Sequence, residues 1–272
     1  MGTVVNTNTM ALTSYRNLST VSRSQGKASA RLSSGKKINN AADDAAGLAI
    51  SEKMTSQIRG LDMAYKNSQD AISMLQTTEG AVSEINNMVQ RIRELAVQAS
   101  NDTNTTEDRS KLQEEVTQLQ NEINDMAGRS EFNELKLTEK DATRTFHIGA
   151  NNGQVISFKF EGVKASNLSG LNNASVSTRA KAEEAISTCS KALKKITTYR
   201  AKIGATENRL EYTANNLQVT SENLSAARSR VEDADMAKEM MNMTQNNVLT
   251  QAATSMLAQS NASTQNVLQL LG

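Results

Sequence analysis

From Cys189 to Val231 an apolar residue stands at every seventh position: Cys189, Ile196, Ile203, Leu210, Leu217, Leu224 and Val231. Seven residues fall slightly short of two turns of a straight α-helix. A helix that carries the repeat must therefore wind left-handedly on partner helices to keep its stripe covered. Ile186 and Leu193 add a second seam at its start. The sequence has no proline, so no ring forces a kink. Aromatic residues make up 3% of it, too few for a thick globular core. Long helices that bury narrow stripes of Ala, Leu, Ile, Val and Met fit both facts.

The rest of the chain repeats the theme. Residues 1–34 carry a thinner seven-residue series, Val4, Ala11, Leu18, Gln25 and Leu32, with Tyr15 and Val21 near the same stripe. Ser33-Ser34-Gly35 ends that helix, and residues 36–42 read as a polar connection. A second helix starts near Asp43-Asp44, whose carboxylates suit a helix N-terminus. Its stripe is Met54, Ile58, Leu61, Tyr65, Ile72, Leu75, Val82, Ile85, Val89 and Ile92, and it runs to about Ala99. Such a helix would be roughly 80 Å long, so it needs a second helix alongside. Turn chemistry over Asn101–Thr106 precedes a shorter helix with Leu112, Val116, Leu119, Ile123 and Met126 in coiled-coil spacing.

Around 144–160 the period drops to two. Phe146 and Ile148, then Ile156, Phe158 and Phe160, alternate with polar residues on either side of a tight Asn152-Gly153 turn. This predicts a β-hairpin packed on the helices. Residues 161–178, rich in Gly, Asn and Ser, read as loop. The last segment, about 234–272, scatters Met236, Met240, Met243, Leu249, Met256, Leu257, Val267, Leu268, Leu270 and Leu271 among Asn, Gln, Ser and Thr. The methionines offer an adaptable surface. The expected fold is mainly α: a long antiparallel helical coiled-coil rod with a small β-hairpin. Residues 1–42 and 235–272 would be terminal helices, and 43–234 the rod. Each terminal segment has too little apolar surface to offset its own ordering entropy. Both are expected to order on assembly.

Several function classes are excluded. Thirty basic and 29 acidic side chains give a formal charge of +1, with no basic run to mark a nucleic-acid interface. No stretch approaches the ~18 apolar residues of a membrane span. The start, MGTVVNTNTMAL, lacks the basic and apolar regions of a secretory signal. Cys189 is the sole cysteine, which rules out an intramolecular disulfide and a cysteine-based zinc site, and its heptad position suits core packing. His147 is the sole histidine. Ser33-Ser34-Gly35-Lys36 lacks the strand and glycine of a phosphate loop, and no catalytic or cofactor motif appears. No enzyme activity and no cofactor are expected. In QRIRELAVQ (90–98), Arg91, Glu94, Leu95 and Gln98 fall largely on one helical face. By itself this reads as a solvated face with an Arg91–Glu94 pair.

Five runs, in order, resemble bacterial flagellins: LSSGKKINNAADDAAGLAISEKM (32–54), QIRGLDMAYKNSQDAISMLQTTEGA (57–81), QRIRELAVQAS (90–100), LEYTANNLQVTSENLSAARSRVEDADMAKEM (210–240) and NVLQLL (266–271). The resemblance implies a structural subunit that polymerises into the flagellar filament for swimming. Val4, Ala11, Leu18 and Leu32 would pack with Met243, Leu249, Met256, Leu257, Val267, Leu268, Leu270 and Leu271, within and between subunits. It implies export through the flagellar type III apparatus without a cleaved signal, an extracellular location, and an export chaperone, cap and hook-junction proteins as partners. The outer domains usual in mid-chain are absent. The 90–98 run is also similar to the region recognised by Toll-like receptor 5. The matching positions are Gln90, Arg91, Glu94, Leu95 and Gln98, with Glu115 on the neighbouring helix. The same surface makes subunit contacts in filaments of the family.

Two departures stand out. FNELKL (132–137) lacks the glycine that often follows Phe-Asn in the family, which leaves its turn open. The chain ends Leu-Leu-Gly, where a basic or hydroxyl residue is common. The competing reading is a hook–filament junction protein. The intact Asp-Asp-Ala-Ala-Gly-Leu run speaks for flagellin over it. A secreted ligand acting mainly through a host receptor is a further class.

Overall fold

The structure is a computed structural model that describes residues 7–271, apart from the side chains of Thr264 and residues 267–271. Its helices are α1 (Thr9–Ser34), α2 (Ala45–Ala99), α3 (Thr106–Arg129), α4 (Arg179–Glu232) and α5 (Met236–Leu271). Between α3 and α4 lie two antiparallel hairpins and one short 3-10 turn. The strands are β1 (Glu131–Phe132) with β2 (Leu135–Lys136), and β3 (Ala142–His147) with β4 (Val155–Phe160). The chain forms two compact units, Met1–Ser56 with Asn223–Gly272, and Gln57–Glu222.

In the unit spanning 57–222, α2 and α4 run antiparallel. The cross-links Asp62–Ser221, Gln76–Glu207, Glu79–Arg200 and Asp102–Arg179 fix the register, since one partner's number falls as the other's rises. The heptad of α4 is buried from Cys189 through Ile196, Ile203 and Leu210 to Leu217, while its last two members, Leu224 and Val231, are half-buried. Cys189, Ile196, Ile203 and Leu210 share one core with Leu75, Val82, Ile85, Val89 and Ile92 of α2. Helix α3 folds back on α2. Its N-terminus is closed by a capping box in which Thr105 and Asp108 satisfy each other's backbone N–H. Val116 and Ile123 are buried in the same core, and Leu112, Leu119 and Met126 flank them.

The β3–β4 hairpin pairs Ala142 with Phe160 through to His147 with Val155. Its turn is longer than the expected tight Asn-Gly turn. Residues 148–154 form the connection, closed by the Ile148 N–H donating to the Gln154 carbonyl at 2.9 Å. Ile156, Phe158 and Phe160 point inward, with the Phe158 ring stacked 6.2 Å from that of Tyr199 on α4. The β1–β2 hairpin was not expected. Asn133 and Glu134 form its two-residue turn, both at positive φ (48° and 65°), so a glutamate stands where glycine is favoured.

Residues 161–178 are not a bare loop. Val163, Ala165, Leu168, Leu171 and Val176 are buried, and three polar side chains of α3 hold the segment's backbone. Gln120 donates to the carbonyls of Leu171 and Ala174 at 2.8 and 2.9 Å. Asn124 accepts from the Ala165 N–H, and Gln113 from the Val176 N–H. The segment is therefore core, and its polar composition hid that.

In the other unit, α1 and α5 pair antiparallel through Asn8–Ser260, Gln25–Asn247 and Arg31–Glu239. Gly35 ends α1 in the left-handed conformation (φ 71°), donating its N–H to the Arg31 carbonyl. Asp44 caps α2 by accepting from the Gly47 N–H at 2.9 Å. Asp43, expected to share that role, instead accepts from Asn39 and Asn40 and pairs with Lys27 at 3.6 Å. The break between α1 and α2 is tied to the break between α4 and α5. The Lys37 N–H donates to Glu232, the Ala234 N–H donates to Gly35, and Lys36 forms an ion pair with Glu232.

Candidate assembly and recognition surfaces

The inner stripe of α1 is Ala11, Ser14, Leu18, Val21, Gln25, Ala28 and Leu32, at alternating steps of three and four. The matching stripe of α5 is Glu239, Met243, Asn246, Thr250, Ala253, Leu257 and Ser260. Both stripes are half-buried or buried; that of α1 holds Leu18, Val21 and Leu32, while that of α5 carries Glu239, Asn246, Thr250 and Ser260 beside Met243 and Leu257. Further large apolar residues face outward. Met10, Leu12 and Tyr15 on α1 are 68%, 59% and 63% exposed, and Met241, Val248 and Met256 on α5 are 66%, 60% and 61% exposed. Five side chains therefore sit as the spacing requires for contact within this pair: Ala11, Leu18 and Leu32 on α1, and Leu257 with Met243 on α5. Leu249 and Met256, expected to pack within or between subunits, are exposed in the single chain, as is Tyr15, because Asn246, Thr250 and Ala253 occupy the sector that α1 covers. Val4 lies outside the described residues, as do the side chains of Val267, Leu268, Leu270 and Leu271.

The 90–98 run splits by direction. Arg91 turns toward α3, where its Nε donates to Glu115 at 2.9 Å and its guanidinium reaches Glu94 at 3.3 Å. These carboxylates, Glu115 first, raise the pKa of the guanidinium further above its ordinary value. Gln90, Glu94 and Gln98 are exposed and, with Arg93, Val97 and Leu193 of α4, line an open groove of about 560 Å³. Leu95 is not on this surface. It is 1% exposed and belongs to the core, because the sector of α2 that carries it faces inward with Ile92 and Ala99. The apolar side chain offered there is Val97, 51% exposed. Its place one turn beyond Glu94 was readable, but which sector α3 and α4 leave open was not.

Cys189 is wholly buried, and desolvation pushes its thiol up to about 11. His147 lies exposed at the end of β3, with its carbonyl held by Asn67. Among the described residues no group of His, Cys, Asp and Glu could hold a metal ion, and no helix is long and apolar enough to cross a membrane.

These features define a helical protein with a well-packed middle and terminal helices that turn apolar side chains outward. The family described as the bacterial flagellin N-terminal helical region matches residues 5–143, and the bacterial flagellin C-terminal helical region matches 186–271. The flagellin of Halalkalibacterium halodurans is 46% identical over 271 residues, covering 98% of this chain and 99% of the relative. The flagellin of Bacillus subtilis is 45% identical over 303 residues, with 98% and 99% covered. A solved putative flagellar hook-associated protein from Vibrio parahaemolyticus covers 70% of this chain and 100% of its own at TM-score 0.60. At 10% identity it shows the shared fold alone. The chain belongs to the bacterial flagellin family. It is a structural subunit of the flagellar filament, a self-assembling helical polymer that serves motility, and it is not an enzyme. The hook–filament junction alternative is not favoured.

Proposed function

We propose that the outward apolar faces of α1 and α5 are the surfaces through which neighbouring copies polymerise, with the terminal helices gaining stability on assembly. The observation that carries this reading is the set of large apolar side chains that the pair leaves outside, Met10, Leu12, Tyr15, Met241, Val248 and Met256, while Ser14, Gln25, Asn246 and Thr250 take seam positions. Burial contributes roughly 1.5–3 kcal/mol per large apolar side chain, so covering such a face yields more than the isolated pair can supply. Residues 1–42 and 235–272 serve in this reading as the filament's inner core, with 43–234 outside it. In this reading Val4, Val267, Leu268, Leu270 and Leu271 also take part in polymerisation. Before assembly an export chaperone covers them, and cap and hook-junction proteins meet them at the filament's ends. The subunit leaves the cell without a cleaved signal. Leu12→Glu with Val248→Glu is expected to abolish filaments seen by electron microscopy while leaving the thermal melting of the 57–222 core in place. Filaments at normal yield from that double variant would refute the reading.

A second role rests on the exposed 90–98 surface. Gln90, Arg91, Glu94 and Gln98, with Glu115 bracing Arg91, form a charged and hydrogen-bonding face that an innate immune receptor of the Toll-like receptor 5 type recognises in the monomer and subunit contacts cover in the filament. Leu95 acts there only as the core residue that holds the helix face. In a receptor reporter assay Arg91→Ala is expected to lose activity that Lys111→Ala retains. Equal loss or no loss in both would remove this role.

A further inference from the structure

We propose that Asn152 is a site of spontaneous backbone-catalysed deamidation, carried out by the amide of Gly153 with water as co-reactant. Asn152-Gly153 is the sole Asn-Gly pair in the sequence. It lies in the exposed 148–154 connection between β3 and β4. The hydrogen bonds of that loop leave the Gly153 N–H and the Asn152 side chain out. Ile148 donates to Gln154, Asn151 to the Gln154 side chain, Gln154 to Asn151, and Val155 to Gly153. Among the described residues neither the Gly153 N–H nor the Asn152 side chain makes a hydrogen bond, so the attacking nitrogen and the carbon it attacks are both unencumbered. Gly153 sits at φ +83° and has no Cβ to crowd the approach.

In the first step the Gly153 nitrogen, having lost its proton to solvent base, forms a bond to the Asn152 Cγ. The Cγ–Nδ2 bond breaks, and the amide nitrogen leaves as ammonia. The five-membered succinimide that results adds water at either carbonyl. One opening gives aspartate, the other isoaspartate, with the chain routed through the side-chain carbon. The net change is one amide plus water to one carboxylate plus ammonium, with no oxidation. It takes the formal charge from +1 to neutral. Isoaspartate also lengthens the loop backbone by one carbon where the loop has little slack. A Cβ placed on Gly60 of α2 would lie only 2.9 Å from the Ala150 Cβ.

Other asparagines are worse placed. Asn173 is followed by Ala174, whose N–H is already donated to Leu171, and the helical asparagines are followed by N–H groups held in the helix. Asn40-Ala41, exposed in the connection before α2, is the fair comparison because it differs mainly by the methyl group on the following residue. Asn151, one residue upstream and followed by Asn152, is a control in the same peptide.

The test ages the purified full-length protein in neutral buffer at body temperature and follows tryptic peptides by mass spectrometry, with an isoaspartyl methyltransferase to detect the isomer. The Thr145–Lys159 peptide should gain the mass of replacing NH by O at Asn152, on the order of tenfold faster than Asn40 or Asn151 reacts, because glycine leaves the approach open. The product should accept methyl groups. Gly153→Ala should slow the gain by a similar factor, and Asn152→Gln should leave the position unchanged over the same period. No gain at Asn152, a rate equal to that of Asn40, or a Gly153→Ala variant that ages as fast as the native chain would each overturn the proposal.

Discussion

Replacing Gln120 by leucine removes a single side-chain amide that holds up an eighteen-residue segment. Gln120 is 7% exposed, and its Nε2 donates to two backbone carbonyls, of Leu171 at 2.8 Å and of Ala174 at 2.9 Å. Leucine keeps much of the volume and adds apolar surface. The Leu171 carbonyl keeps the Ala174 N–H as a donor at 3.1 Å, so the loss is chiefly the Ala174 carbonyl left without one. An orphaned buried acceptor costs about 1–3 kcal/mol. Gln120→Leu is therefore expected to destabilise the unit spanning 57–222 by about 1–3 kcal/mol. For a domain of that size this is a fall in Tm of roughly 2–12 °C. Thermal unfolding of the full-length monomer followed by circular dichroism reads it directly. Gln118→Leu, on the exposed side of the same helix, is the control, expected to stay within about 0.5 kcal/mol of the native chain. If both variants melt together, the 161–178 segment is not held by Gln120, and the account of how a polar loop became core is wrong.

Three further outcomes follow from the same structure. Glu134→Gly should stabilise the chain by about 0.5–1 kcal/mol in a denaturant melt, since it relieves a left-handed glutamate and gives back part of the gain as unfolded-state freedom. Cys189 should resist a thiol reagent at about pH 8 in the native protein and react at once in denaturant, because burial holds its thiol at about 11 and the thiolate is the nucleophile. Asp43, Asp108, Glu139 and Asp141 all have pKa values lowered from 3.8 or 4.5, mainly by N–H donors from Asn39 and Asn40, by Thr105, by Lys164 and by Lys159. A lowered folded pKa contributes stability above the unfolded value that is lost as pH falls through the folded one. Melting temperature should therefore be flat above pH 4.5 and fall below 3.8, and Asp141→Asn should lower it at neutral pH while flattening the acid limb. An unchanged profile in Asp141→Asn would show that the Lys159 contact contributes nothing.

The long helices and their covered stripes were legible in the sequence because helical periodicity is a local property. Cys189 through Leu217 are buried as their spacing requires, and Gly35 stops α1 for a reason visible in the residue itself. The antiparallel pairing followed from the need of one long stripe for another. The 161–178 segment was not legible. Val163, Leu168, Leu171 and Val176 show no period, and the donors and acceptors that hold the segment's backbone stand on α3, 41 to 63 residues earlier. Leu95 was misread for a related reason. It follows Glu94 in sequence, and a helix of 3.6 residues per turn carries neighbours about 100° apart, so one faces water and the other the core.

What the sequence determined by itself was which stretches are helix and where each helix must stop, since a repeat of seven and a glycine with no Cβ act within a few residues of themselves. What only the tertiary structure decided was which side of each helix is covered. On α1 and α5 that choice put Ser14, Asn246 and Thr250 in the seam beside Leu18, Leu32 and Leu257, and left Met10, Leu12, Tyr15 and Met256 outside. The physical reason is that a helix's period fixes the angles between its side chains, while the direction of water is set by whichever partner packs against it.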